Sequence, residues 1–211
     1  MNYNYEKELK KMLSKNKSLK KRAKELFEKR KTVTSSKEIG FDVIGYPEIG
    51  RPVLGEGSAL KQFRYIRFVG LTKGVAKILS DEARHTLIYN MGIGFGEVFF
   101  KKLEKKDDWK SFLDYFAKTL KDFRIGIMSV SKWKKDKPIK IRLDECQTCA
   151  GMLDVNKCVC YYEAGIIAGV LTEFANYPKF LNKTIDTQET KCWGKGDTYC
   201  EFEAKDIGKA L

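Results

Sequence analysis

The stretch ETKCWGKGDTYCEF, residues 189–202, decides how this chain is interpreted. It places Glu189 three positions before Cys192, and a second thiol, Cys200, follows a glycine-rich segment. That segment, Gly194 to Asp197, supplies the bend of a hairpin, so Cys192 and Cys200 are predicted to face each other across it. Because residues three apart do not alternate onto one face of a regular strand, a local bend is predicted between Glu189 and Cys192.

The cysteines of the chain all lie in its last third, and most stand in close pairs: Cys146, Cys149, Cys158, Cys160, Cys192 and Cys200. No apolar run is long enough for a membrane span. The N-terminus lacks the apolar core of a secretory signal, so a cytoplasmic location is expected, where thiols stay reduced. Metal ligation is therefore favoured over redox thiols and over structural disulfides, which would gain weight in a hyperthermophile.

Charge is concentrated at the N-terminus. The 211 residues carry a net charge of +13, of which residues 1–40 contribute +8. Residues 6–31 predict one basic amphipathic helix. It either contacts nucleic acid or an anionic membrane, or presents a solvated basic face while packing on the body or on a dimer partner. The second interpretation is favoured, because no aromatic stacking platform or recognition-helix motif accompanies the charge. We expect residues 1–40 to form a basic helix and linker, and residues 41–211 to form the domain.

Patterning predicts helices first and strands later. Helices are expected over 60–79, from a cap at Ser80 to Lys102, over 107–122 with a cap at Asp107 or Asp108, and over 161–177. Strands are expected over 124–133, 139–143, 183–192 and 199–204, with short strand pieces over 41–44 and 52–54 in the connector. Runs of helices and of adjacent strands, without strict alternation, predict an α+β fold with an antiparallel sheet. The glycine run Gly92 to Gly96 lies in a helical pattern with no preceding strand, so nucleotide binding is rejected.

The 189–202 motif resembles the terminal signature of the 4-vinyl reductase-type (hydrocarbon-binding) domain family. The segment from Cys160 through Gly165 to Gly169 resembles the start of a family helix, and Arg64–Phe68 and Leu87–Gly92 resemble its early helices. The resemblance covers about residues 50–204. The chain resembles a stand-alone, archaeal-like member of the family, and no attached DNA-binding or ATPase domain is expected.

The resemblance implies a twisted antiparallel sheet with packed helices, a fold shared with haem-dependent nitric-oxide sensors and Golgi-transport subunits. It also implies a zinc site, whose ligands correspond here to Cys160, Glu189, Cys192 and Cys200. Three thiolates and a carboxylate suit tetrahedral zinc, and a site filled by protein ligands is structural. The reduction suggested by the family name does not carry over, because no nicotinamide or flavin motif is present.

Three thiols remain outside that set: Cys146, Cys149 and Cys158. They form a second metal site, share ligands with the first, or act as a redox pair or as inert thiols; an iron–sulfur cluster on Cys146, Cys149, Cys158 and Cys160 is a further alternative. The single histidine, His85, is assigned to the surface or to helix packing.

The leading hypothesis is a zinc-stabilised binding domain, sensory or carrier, for a small apolar, aromatic or lipid-like ligand. Its candidate pocket residues are Tyr65, Phe68, Phe95, Phe99, Phe112 and Phe116. A reductase acting on a vinyl or tetrapyrrole-like substrate is the alternative enzyme, and the enzymatic interpretation is less favoured. A dimeric assembly or adaptor protein is the third possibility, and a homodimer is expected.

Overall fold

Helices precede most of the strands in the chain. The computed structural model describes residues 3–32, 44–68, 74–104, 108–132, 137–177 and 183–208. Within these ranges the α-helices are α1 (Tyr5–Lys15), α2 (Lys17–Thr32), α3 (Pro47–Gly50), α4 (Ser58–Tyr65), α5 (Asp81–Lys102), α6 (Trp109–Asp122) and α7 (Tyr161–Asn176), and the strands are β1 (Ile127–Lys132), β2 (Ile139–Asp144), β3 (Ile185–Lys191) and β4 (Cys200–Asp206).

The strands form one antiparallel sheet in the order β1-β2-β4-β3. Two sequential hairpins therefore lie side by side, joined where β2 pairs with β4. Apolar residues alternate along these central strands, and Ile141, Leu143 and Phe202 are fully buried beneath the helices. The predicted α+β architecture is confirmed.

Helix α7 is buried on nearly every side and packs closely against α5. The contact is made by glycine, because a Cβ added at Gly92 would lie 2.2 Å from the carbonyl oxygen of Tyr162, and one at Gly165 would lie 2.1 Å from that of Tyr89. The same pattern recurs one turn further along, at Gly96 and Gly169. The glycine run that resembled a nucleotide loop is therefore a helix-packing surface.

The predicted helix over residues 6–31 is wrong in one respect: it is two helices that break at Asn16. Asn16 has extended backbone angles, and its side chain accepts a hydrogen bond from the amide of Leu19 at 3.1 Å. Asparagine competes with the helix by bonding nearby backbone, so it caps α2 and ends α1. The predicted caps at Ser80 and Asp108 are confirmed, each accepting from the amide three residues on.

Two further predictions on the connector need correction. Of the helix expected over 60–79, the described residues 60–68 and 74–79 are α-helical only within α4, and a short 3-10 turn occupies Val75–Lys77. Residues 52–54, expected as a strand piece, form a turn, and residues 41–43 of the other piece lie outside the described part.

The N-terminal helices pack on the body of the protein. The ring of Tyr5 meets Trp193 edge-on at 5.7 Å, and its hydroxyl donates to the carbonyl of Ile49 at 2.9 Å. Leu9 and Leu26 are buried in the same core. The apolar side of the basic segment is therefore occupied, as the favoured interpretation expected. Among the described residues, no helix combines the length and apolar character needed to cross a bilayer.

Candidate metal centre

Thiols from three parts of the chain meet where the end of β2 pairs with the start of β4. They come from the segment between β2 and α7, from the end of β3, and from the first residue of β4. The Sγ atom of Cys160 lies 3.5 Å from that of Cys146, 3.8 Å from that of Cys192 and 3.7 Å from that of Cys200. Cys149 Sγ lies 3.2 Å from Cys200 Sγ. These five thiols are buried, and all are free.

Two sets of four donors are compact enough to hold a metal ion. One is Cys146, Cys149, Cys160 and Cys200, and all four residues are buried. The other is the sequence-predicted set, Cys160, Glu189, Cys192 and Cys200. Within each set the ligand atoms lie within 4.8 Å of one another. The structure therefore brings together the predicted donors and also Cys146 and Cys149. The two sets have Cys160 and Cys200 in common.

Glu189 reaches the thiols because β3 is irregular at its end. The pairing register with β4 shifts between Glu189 and Lys191, a β-bulge that changes which side chains face the centre. Glu189 Oε2 accepts a hydrogen bond from the amide of Cys160 at 2.8 Å. Its Oε1 is buried and has no hydrogen-bond partner among the described residues. The predicted local bend is confirmed, and one carboxylate oxygen is left for a cation.

Cys192 and Cys200 are held by the turn between them. Residues Trp193–Lys195 form a 3-10 turn, and Gly196 follows with φ of 98°, a conformation that glycine adopts without strain. The Asp197 carboxylate accepts from the Cys192 amide at 3.0 Å. This closes the turn and fixes the thiol of Cys192 toward the centre.

Three buried arginines hold the backbone around the other cysteines. Arg64 donates to the carbonyls of Gln147 at 2.6 Å and Ala150 at 3.0 Å, on either side of Cys149. Arg51 donates to the carbonyl of Glu145, and Arg67 donates to that of Val159, the residue before Cys160. Because buried cations need anions or acceptors, these contacts fix the loops and also bring positive charge toward the sulfurs.

The pKa values of the five buried thiols are shifted in opposite directions. Burial opposes ionisation of Cys146 and Cys192, but hydrogen bonds from neighbouring thiols outweigh it and hold both pKa values well below the usual range. Burial raises the pKa of Cys149, Cys160 and Cys200 well above it. Thiolates are what soft divalent metals bind, and binding releases the remaining protons.

Burial also raises the pKa of carboxyl groups at the centre. Burial, followed by the nearby charge of Cys192, raises the pKa of Glu189 well above its usual value. Burial likewise raises the pKa of Glu163, which accepts from the Thr148 hydroxyl, to about 7. The soft donor set and the unbonded Glu189 oxygen together fit a thiophilic divalent ion.

Cys158 stands apart from both four-donor sets. It is half-buried, and a hydrogen bond to Cys192 together with burial raises its pKa. The sequence-based alternative of an iron–sulfur cluster included Cys158, whereas the compact four-thiol set contains Cys200 in its place.

The predicted aromatic pocket residues are mostly packed side chains. Phe112 and Phe116 are fully buried, and Phe112 stacks on Phe174 with ring centroids 3.8 Å apart. Phe68 and Phe99 are also buried, Tyr65 is half-buried, and Phe95 on α5 is 38% exposed. The aromatic stripe of α6 therefore builds core.

A cavity of about 370 Å³ lies instead between α4 and the turn that follows α6. Its lining residues are Gly57, Ala59, Leu60, Phe63, Phe123, Arg124 and Gln147. Gln147 belongs to the loop that carries Cys146 and Cys149, so the cavity borders that loop. Phe99 of the predicted set contacts Phe123, with ring centroids 5.3 Å apart, from outside the lining.

The sequence did not reveal the roles of Arg51, Arg64 and Arg67. Arg64 and Arg67 stand in the segment that resembled an early family helix, but nothing in their spacing showed that they would be buried. The only sequence signal for Arg64 and Arg67 is that these two cations stand among aromatic residues, one in α4 and one just after it.

The part of the chain that carries the cysteines is similar to known proteins. A family model of the 4-vinyl reductase domain matches residues 139–206, which contain all six cysteines. The uncharacterised protein MJ0150 of Methanocaldococcus jannaschii is 35% identical over 152 residues, covering 72% of this chain and 78% of that protein.

Two solved structures are similar in fold. The phenol-responsive sensory domain of the transcription activator PoxR, solved with phenol, has a TM-score of 0.52 at 15% identity, over 73% of this chain and 76% of that one. A trafficking protein particle complex subunit 3 from Naegleria fowleri, covalently bound to palmitic acid, has a TM-score of 0.53 at 17% identity, over 74% and 99%.

Proposed function

This chain belongs to the 4-vinyl reductase domain family, and we propose that it is a metal-closed domain that binds a small apolar or aromatic molecule. A zinc ion held by Cys160, Glu189, Cys192 and Cys200 closes the fold. The ligand occupies the cavity beside the cysteine loop. A sensory or carrier role follows from reversible binding without chemistry.

The metal in this proposal is structural. Four protein donors fill the tetrahedron of zinc, so no position is left for a substrate. The ion would tie the start of α7 to the end of β3 and the start of β4, and so join the segment at Cys160 to the later hairpin of residues 189–200. Zinc supplies folding free energy in such sites, and the unbonded Glu189 oxygen and the clustered thiols support this role.

The observation that carries the ligand proposal is the cavity between α4 and the turn after α6. Its walls are mainly apolar, with the rings of Phe63 and Phe123 among them, and Arg124 and Gln147 supply polar groups. Small-molecule sites combine such walls with a few polar anchors. The PoxR domain was solved with phenol and the Naegleria subunit with palmitic acid, so a ring or an acyl chain with one polar end is the expected class.

Calorimetric titration with phenol and with palmitate tests this proposal. We expect one of the two to bind the metal-loaded protein, and Phe63→Ala to weaken that binding about tenfold by removing an aromatic wall. Phe95→Ala is the matched control, because Phe95 belonged to the sequence-predicted pocket but does not line the cavity. No binding of either probe, or loss of binding in Phe95→Ala alone, contradicts the proposed cavity.

A further inference from the structure

The centre holds more soft donors than one zinc ion uses. Each of the two compact sets has four donors, and they have Cys160 and Cys200 in common. Zinc takes four ligands. An ion in the predicted set therefore leaves Cys146 and Cys149 beside it, both fully buried and each within 3.5 Å of a shared sulfur.

Three of the four short sulfur spacings match two tetrahedra with a common edge, and the fourth, between Cys149 and Cys200, is shorter at 3.2 Å. With zinc–sulfur bonds of about 2.3 Å, neighbouring sulfurs of a tetrahedral site lie about 3.8 Å apart. The shared pair, Cys160 and Cys200, is separated by 3.7 Å. From Cys160 the distance is 3.5 Å to Cys146 in one set and 3.8 Å to Cys192 in the other.

We propose that the centre binds two divalent ions that share the thiolates of Cys160 and Cys200. Cys146 and Cys149 complete the first tetrahedron; Cys192 and Glu189 complete the second. The second of these tetrahedra is the zinc site of the proposed function, on which this inference rests. The added ion is the one on Cys146 and Cys149, and zinc or cadmium is its chemical class because five of the six donors are thiolates.

Charge favours the second ion. One divalent ion with three thiolates and a carboxylate has a formal charge of about −2. The second ion brings two positive charges, and the thiolates of Cys146 and Cys149 that would bind it carry two negative charges, so this half of the centre is neutral in sum. The formal charge of the two-ion centre is therefore also about −2, and no further net charge has to be buried.

The surrounding arginines fit a charged centre better than a cluster of neutral thiols. Buried free cysteines otherwise behave as small apolar side chains. Here Arg64 is fully buried and closes on carbonyls on either side of Cys149, while Arg51 and Arg67 approach the same loops. Burial of such cations is costly without nearby negative charge, and a metal–thiolate centre supplies it.

Metal content and cadmium NMR of the full chain test the proposal. Elemental analysis of protein purified from zinc-supplemented cells is expected to give two zinc ions per chain. After exchange with cadmium, two cadmium resonances are expected, and the β-protons of Cys160 and Cys200 should correlate with both. The β-protons of Cys146 should correlate with one resonance, and those of Cys192 with the other.

Variants separate the two ions. The double substitution Cys146→Ser with Cys149→Ser is expected to halve the bound zinc, whereas the control Cys158→Ser, outside both sets, keeps both ions. One ion per chain in the wild type, with Cys160 coupled to a single resonance, overturns the shared centre and leaves the proposed zinc site standing. No bound metal overturns both, and iron with inorganic sulfide overturns the divalent pair.

Discussion

At the scale of single residues, Arg64 holds the backbone of the loop that carries Cys146 and Cys149. Its planar guanidinium reaches the carbonyls of Gln147 and Ala150 at once, and a lysine ammonium has no such fork. A buried carbonyl without a partner costs about 1–3 kcal/mol. Arg64→Lys is therefore expected to lower the free energy of unfolding by about 2 kcal/mol, as measured by urea denaturation of the metal-loaded protein.

Arg22→Lys provides the matched control for that substitution. Arg22 pairs with Glu48 at 3.1 Å on the surface, and exposed ion pairs contribute about 0–1 kcal/mol. Equal effects of the two lysine substitutions would show that the buried fork of Arg64 is not what holds the cysteine loop.

His85 provides a second residue-scale prediction, because it is the single histidine and its NMR titration is free of overlap. Its ring stacks on Tyr161 with centroids 4.1 Å apart. Burial, and then the positive charges of Lys157, Arg84 and Arg67, lower its pKa from 6.5. We expect a titration midpoint below 6.5 in the wild type and a higher one in Lys157→Ala.

The sign of the linkage follows from that lowered pKa. Any stability contributed by neutral His85 is present above pH 6.5 and is lost as the pH falls through the folded-state value. A wild-type midpoint at or above 6.5 would mean that the ring is not enclosed by these cations.

At the scale of elements, the contact between α5 and α7 is the most demanding. A Cβ at Gly165 in α7 would clash with the backbone of α5. Because the contact is with backbone atoms, relieving the clash would require one of the two helices to shift. Gly165→Ala is expected to reduce the free energy of unfolding by about 1–3 kcal/mol, the usual cost of overpacking. Gly94, on the same α5, has nothing within 4 Å of its added Cβ, so Gly94→Ala should gain about 0.5–1 kcal/mol.

Opposite signs for these two alanine substitutions, measured by urea denaturation, are the expected result. A stabilising Gly165→Ala would mean that the helices are farther apart than described.

The order and type of most elements could be predicted from the sequence because the apolar periods are local. The bend between Glu189 and Cys192 followed from spacing alone and appears as the β-bulge. The break at Asn16 did not follow, because the apolar period of the first helix continues through it while one asparagine side chain caps the second. Local cap chemistry outweighed periodicity there.

The tertiary parts of the site were harder to predict. Arg64 is buried because the cysteine loop packs over it in the folded protein. The spacing of residues in α4 does not predict that contact. Aromatic residues on α6 gave the same sequence signal whether they line a pocket or fill a core, and Phe112 fills the core. The cavity residues Phe63 and Phe123 are neighbours only after folding.

At the scale of the whole molecule, the basic N-terminal helices join the core through Tyr5, Leu9 and Leu26. The division at residue 40 and the expected homodimer stay predictions. Light scattering of the full chain measures the dimer directly. Nucleic-acid binding through the remaining basic face also stays a prediction, and we do not favour it.

Everything proposed for the cysteine centre depends on donors from residues 146–160 and residues 189–200 binding a divalent metal together. X-ray absorption at the zinc edge of the purified protein is the decisive measurement. We predict a first shell dominated by sulfur at about 2.3 Å, with a minor oxygen contribution at about 2.0–2.2 Å. A shell of nitrogen and oxygen alone, or protein that takes up no zinc, would refute metal binding by these thiols.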